Sequence, residues 1–386
     1  MQSQVIGMDA TIVSGATSGC GRSAAALLCL YLAAACSAPP VAPPGSARVI
    51  RGAEPSQHER YCAWYGDASL GVLYFGQSAF WSTFRRAGGD PSADLQTAGP
   101  QWIGRFDLHK LELLPALDVS AAGARSGVWD VLAHANGHVY YTTYFESMGR
   151  VEVATGKVER FDHLGPGLNE IAAGPDGGLL ISRYAAEDGQ GGSVVVISPD
   201  GVLLAEHPLP SRPGEQVLPK TVAFDPVRRE IWVTTDRLFD DGRPDRHDAL
   251  VLGVDGRLKR RITDPEVHFV VFDDAGTGYR ALVDGTRLRL AIAPAEGPER
   301  QLVLDENFAP DLDFVQDIQI DPNGRAIVTR WSGFVHLVDP SSGGDLLRTL
   351  RLPALESGGL YYTAVPSQSD PQICATYCAG VTVVCR

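Results

Sequence analysis

Residues 169–184, NEIAAGPDGGLLISRY, and residues 316–331, QDIQIDPNGRAIVTRW, decide the fold. Each is an apolar run, a turn of Pro, Asp, Asn and Gly, then a second apolar run, which is the grammar of a β-hairpin. The unit recurs at 129–144, WDVLAHANGHVYYTTY, at 220–236, KTVAFDPVRREIWVTTD, and at 269–284, FVVFDDAGTGYRALVD. One or two further β-like runs follow each hairpin, such as GSVVVISPDGVLLAEHPL at 192–209 and GFVHLVDPSSGGDLLRTL at 333–350, so the unit holds four strands. Aligned at the turn, Asp130, Glu170, Thr221, Phe269 and Asp317 fall in register at intervals of 40, 51, 48 and 48 residues. That period predicts the blades of a β-propeller; a sandwich has no reason to repeat its turn chemistry in register, and a β-helix has a shorter period.

An earlier unit runs from Tyr61 to Val119, with CAWYGDASLGVLYFG as its hairpin. The count is then six blades, with seven as the alternative. The tail after Gly358, containing YYTAVP and CAGVTVVC, either completes a blade with the N-terminal strand or adds to a seventh. The expected ring closes by strand exchange between the chain ends, with a disulfide at the seam. Composition agrees with an all-β chain: 42 Gly and 26 Pro are scattered along 386 residues, which leaves little room for long helices. A net charge of -13 argues against a nucleic-acid partner.

The N-terminus reads as an address. Residues 24–35, AAALLCLYLAAA, are too short to span a bilayer and have the length of a signal-peptide core. Ala33-Ala34-Ala35-Cys36 resembles a bacterial lipobox, in which the cysteine is lipidated; cleavage after an Ala-x-Ala site is the alternative. The organisation is therefore a signal peptide over 1–35, a lipid-anchored Pro/Ala-rich tether over 36–59, and a propeller over 60–386. Cys62, Cys374, Cys378 and Cys385 remain for the folded part, an even number suited to an oxidising compartment and to two disulfides. One bridge is expected to join Cys62 to one of the other three. The protein is placed in the cell envelope, membrane-anchored and facing the periplasm or exterior.

In a propeller the innermost strand starts beside the central channel, on the face where the second strand ends. Asp130, Glu170 and Asp317 stand at strand starts, and Tyr144, Arg183, Asp236 and Arg330 at second-strand ends. Three carboxylates around one axis could hold calcium or another divalent cation. Alternatively, Arg183 pairs with Glu170 and Arg330 with Asp317 across their hairpins. Asp130, with Thr143 in place of an arginine, is then the funnel's least neutralised carboxylate. The loop from Asp236 to Asp248, DRLFDDGRPDRHD, reads as a solvated rim insertion suited to a partner. The nine histidines are dispersed and form no readable triad.

The strings GPDGGLLISRY, DPNGRAIVTRW and SVVVISPDG resemble the six-bladed propellers of the gluconolactonase, senescence-marker and NHL-repeat superfamily, over about Trp129 to Leu352. The resemblance implies a metal held by acidic and amide side chains at inner-strand starts, with Glu170 and Asp317 at such places. Lys220-Thr221 fills the amide position, which counts against a metal there. The expected function is that of a monomeric binding module whose propeller face receives a protein, peptide or glycan and which meets the membrane through its lipid anchor alone. The alternative is a metal-dependent lactonase acting in the funnel.

Overall fold

The computed structural model describes residues 47–53, 61–78, 101–120, 127–143, 146–184, 191–239, 245–310, 312–341, 345–355, 360–367 and 372–386. Within them lie seven four-stranded antiparallel sheets. Six are continuous in sequence. The first blade holds β2 (Cys62–Ser69) to β5 (Glu112–Asp118), the second β6 (Val131–Ala133) to β9 (Val158–Arg160), and the third β10 (Leu168–Ala173) to β13 (Leu203–Pro208). The fourth runs from β14 (Glu215–Asp225) to β17 (Leu258–Ile262), the fifth from β18 (Glu266–Phe272) to β21 (Arg300–Asp305), and the sixth from β22 (Val315–Ile320) to β25 (Asp345–Arg351). The seventh joins β26 (Tyr361–Pro366), β27 (Ile373–Cys378) and β28 (Val381–Cys385) to β1 (Arg48–Arg51), its outer strand.

The expectation of six blades is thus corrected to seven, the stated alternative. The tail makes three strands of its own and takes its fourth from the other chain end. The propeller also begins at β1, inside the stretch read as tether. Signal segment, lipobox and Cys36 lie outside the described residues.

Apolar packing closes the ring. Each of seven hydrophobic clusters lies between two adjacent blades, from the first-to-second interface around Tyr141 and Ile103 to the seventh-to-first interface around Phe75 and Val383. Middle strands are therefore covered on both faces: every residue of β11 (Leu179–Arg183) and β12 (Ser193–Ile197) is buried, whereas β13 at the outer edge is largely exposed. The turns do what their residues dictate. Asp321 Oδ1 accepts from the Asn323 and Arg325 amides, and Gly324 takes a φ of 76° that a side chain would strain.

Two disulfides secure the last blade. Cys62 on β2 is bonded to Cys378 on β27, across 316 residues, and Cys374 to Cys385 within the seventh blade. The first bridge crosses the seam, as the sequence leads one to expect. Disulfides of this kind belong to oxidising compartments. Among the described residues no helix is long and apolar enough to cross a membrane.

One local feature repeats around the axis. In six blades the inner strand carries a one-residue bulge against the second strand, at Ala63/Gly66, Leu168/Ile171, Pro219/Thr221, Val267/Phe269, Val315/Asp317 and Tyr361/Ala364. A bulge takes its extra residue out of the ladder and re-aims its side chain. The amide beyond the bulge often finds a hydroxyl on the second strand instead: Glu170 N–H donates to Ser182 Oγ at 3.0 Å, Thr221 to Thr234 and Thr363 to Thr376, both at 3.1 Å.

Candidate functional site

The five positions that the turn alignment puts in register line one central cavity of about 540 Å³, joined there by Gly66, Asp67 and Thr363 from the two blades at the seam. Its carboxylates differ in what they touch. Asp130 accepts the Val131 amide at 2.8 Å and, from the next blade, the Ile171 amide at 2.9 Å. Asp67, which sequence reading passed over, accepts the Ala133 amide of the second blade at 3.0 Å. Asp317 accepts from Gln319 Nε2 at 2.8 Å. Asp130 and Asp67 therefore tie neighbouring blades together. Desolvation pushes their carboxyls up, Asp67 to about 6, Asp317 to about 7 and Asp130 to about 8, against the opposing pull of the backbone amides.

Glu170 is the exception. Its amide is capped by Ser182, and the charge opposing its carboxyl is that of Lys220. Burial and then the Asp130 charge raise its pKa well above the usual range, while Lys220 pulls it down. Asp130, which sequence reading expects to be the least neutralised funnel carboxylate, is met by backbone amides, and Glu170 by the Lys220 charge. Nor do the ligand atoms of Asp130, Glu170 and Asp317 all come within 4.8 Å of one another.

The expected cross-hairpin ion pairs do not form. Arg183 turns outward to Glu206 on β13, at 3.0 Å, and donates to the Leu164 carbonyl. Arg330 bridges Asp305 and Asp313, each at 2.6 Å, between the rings of Phe308 and Phe334. The bulge is the reason: Arg183 stands opposite Leu168 and Arg330 opposite Val315, so both are shifted out of step with the carboxylates. Tyr144 lies outside the described residues.

Near the starts of the first and seventh inner strands an aromatic cluster packs beside the cavity, with Trp64 and Tyr362 buried and Tyr65 on the cavity wall. Trp64 stacks on Tyr362 at 4.4 Å and leans on Trp129 at 4.9 Å, and Tyr65 stands edge-on to Tyr362 at 5.0 Å. The bulged Lys220 places its ammonium 5.5 Å from the Phe314 ring. The fourth-blade hairpin continues outward past this level, since β14 and β15 (Glu230–Phe239) pair from Asp225↔Glu230 to Glu215↔Phe239. The segment read as a solvated rim insertion is largely this hairpin and the start of β16 (Arg246–Gly253). Within it Arg237 pairs with Glu215 and, at 2.7 Å, with Asp248, which is fully buried, while Asp245 and Arg246 are exposed. Residues 240–244 lie outside the described set.

The same hairpin assembles a group that sequence reading missed. Asp236 accepts a hydrogen bond from His247 Nδ1 at 2.7 Å, and the His247 ring lies 4.3 Å from that of His268, the bulged residue of β18. Glu266 completes the group, with Oε2 at 3.6 Å from His268 Nε2. Desolvation drives His268 down to about 4, so the ring is neutral at pH 7. The only signal in sequence is Glu266-x-His268 at a strand start.

No protein-family profile and no curated protein sequence matches this chain. Solved structures do. Virginiamycin B lyase from Staphylococcus aureus superposes over 88% of this chain and 98% of its own, at 11% identity and a TM-score of 0.56. The WD40 propeller domain of Doa1 matches over 88% and 95%, at 11% and 0.53, and the extracellular domain of a hybrid two-component system from B. thetaiotaomicron over 88% and 42%, at 11% and 0.51. These likenesses establish a β-propeller and nothing narrower. The resemblance to gluconolactonase and NHL-repeat propellers is upheld at that level alone.

Proposed function

We propose that the protein is an exported, lipid-anchored binding module whose ligand occupies the central funnel. The observation that carries this reading is the central cavity of about 540 Å³, where the Tyr65 ring and the Glu170 carboxyl meet apolar side chains such as Phe224 and Phe269. Binding sites commonly combine an apolar wall with a few polar groups that orient the ligand, and aromatic rings contribute most per residue at such surfaces. A glycan or peptide, with apolar faces and hydrogen-bonding groups, fits that chemistry. The lactonase alternative draws less support, because the channel carboxylates do not close on one ion.

Binding to immobilised panels of envelope glycans and of peptides tests the site. Tyr65→Phe and Glu170→Gln should each weaken a positive interaction at least about tenfold, equivalent to about 1.4 kcal/mol, with the fold retained. A ligand indifferent to both substitutions binds elsewhere and removes the proposal. The anchor is tested separately: Cys36→Ser should move the exported protein from the membrane to the soluble fraction. A variant that loses its leader yet stays with the membrane refutes lipidation at Cys36.

A further inference from the structure

We infer that His247, Glu266 and His268, between the fourth and fifth blades, form a site for one divalent transition-metal ion of the zinc class. Among the described residues this is the group of His, Cys, Asp and Glu side chains whose ligand atoms all lie within 4.8 Å of one another. Bonds of about 2.0–2.2 Å to a tetrahedral ion require ligand atoms roughly 3.3–3.6 Å apart, and Glu266 Oε2 already stands 3.6 Å from His268 Nε2.

His268 provides the second observation. It is 1% exposed, yet neither ring nitrogen has a hydrogen-bond partner, and 3.6 Å to Glu266 is too long to be a hydrogen bond. Leaving such a group unsatisfied is costly, and a bound cation would satisfy it. Asp236 provides the third. By accepting from His247 Nδ1 it fixes the ring and leaves Nε2 for an ion, the arrangement by which carboxylates orient metal-binding imidazoles.

The donor set chooses the metal. Two imidazoles and one carboxylate suit zinc and its first-row neighbours, whereas calcium asks for six or more oxygens. Lys220 and Arg246 add positive charge nearby, and the carboxylates of Asp236 and Glu266 offset it. Three protein ligands leave a fourth position, and both His247 and Glu266 are partly exposed, so water or a ligand group can reach it.

Untagged protein, stripped with a chelator, is titrated with cobalt(II), zinc and calcium. One equivalent of cobalt should produce the visible absorption of a tetrahedral nitrogen and oxygen site, and zinc should displace it. His268→Gln and Glu266→Gln should abolish the band, and Asp236→Asn should weaken binding about 10–100-fold. Because Glu266 is partly exposed, Glu266→Gln decides the matter even where His268→Gln impairs folding. Binding that is absent, or equal in parent and variants, overturns the site. Calcium uptake abolished by Asp130→Asn, without zinc uptake, overturns it in favour of the channel. Panel binding measured in chelator reads the funnel proposal separately, so either can fail alone.

Discussion

Removing the Cys62–Cys378 bridge by double substitution to serine should lower the stability of the fold by about 5–6 kcal/mol, because the chain-entropy model scales with the logarithm of the enclosed loop and this loop encloses 316 residues. Removing Cys374–Cys385, which spans 11, should cost about 3 kcal/mol by the same reasoning. The longer bridge also joins the first blade to the last, so its loss frees the seam as well as the denatured chain. Urea unfolding of the two double variants measures the contrast. Equal losses would mean that the seam is held by its apolar cluster and by β1, with the crosslink contributing little.

Raising the pH from 6.5 to 8.5 should destabilise the protein by about 2–3 kcal/mol through Asp130 and Asp317 together. Their folded pKa values, about 8 and about 7, lie above the unfolded carboxyl value. The folded state therefore holds protons that the unfolded chain releases, and the associated stability, complete at low pH, is lost as pH rises through the folded values. His268 and His336 act in the opposite sense, since burial lowers them to about 4 and about 3, and their contribution is lost as pH falls below the ordinary histidine value. The chosen window isolates the carboxylates. Asp130→Asn should reduce the alkaline decline, at a cost in stability at pH 6.5, because the amide nitrogen cannot accept and one of the Val131 and Ile171 N–H groups loses its partner. A parent curve flat over this window would show that these carboxyls are already ionised in the fold.

The propeller was legible because its signal is local and repeated. Asp-Pro-Asn-Gly at 321–324 and Pro-Asp-Gly-Gly at 175–178 announce hairpins whatever surrounds them. The seventh blade offers no such cue. β27 and β28 are buried at every position, which erases alternation, and their fourth strand lies at the opposite chain end. The site was less legible for a related reason. Strict hairpin pairing sets Arg183 near Glu170 and Arg330 near Asp317, but one extra residue per inner strand breaks the count. The same bulges aim Lys220 and His268, which no periodic reading singles out. His247 reaches His268 because a hairpin from the neighbouring blade extends past the common level.

The pairing of β1 with β28 sets an order of events. During synthesis Arg48–Arg51 emerges early, yet its partner Thr382–Cys385 emerges only after all the intervening blades. For that interval β1 is a strand without a sheet. An isolated strand invites pairing with another chain, and charged side chains are a common defence. The sequence RVIR meets that need: two arginines flank a short apolar pair, and both remain exposed once the strand is in place. The residues that finish the rim of the last blade thus also keep the waiting strand from joining the wrong molecule.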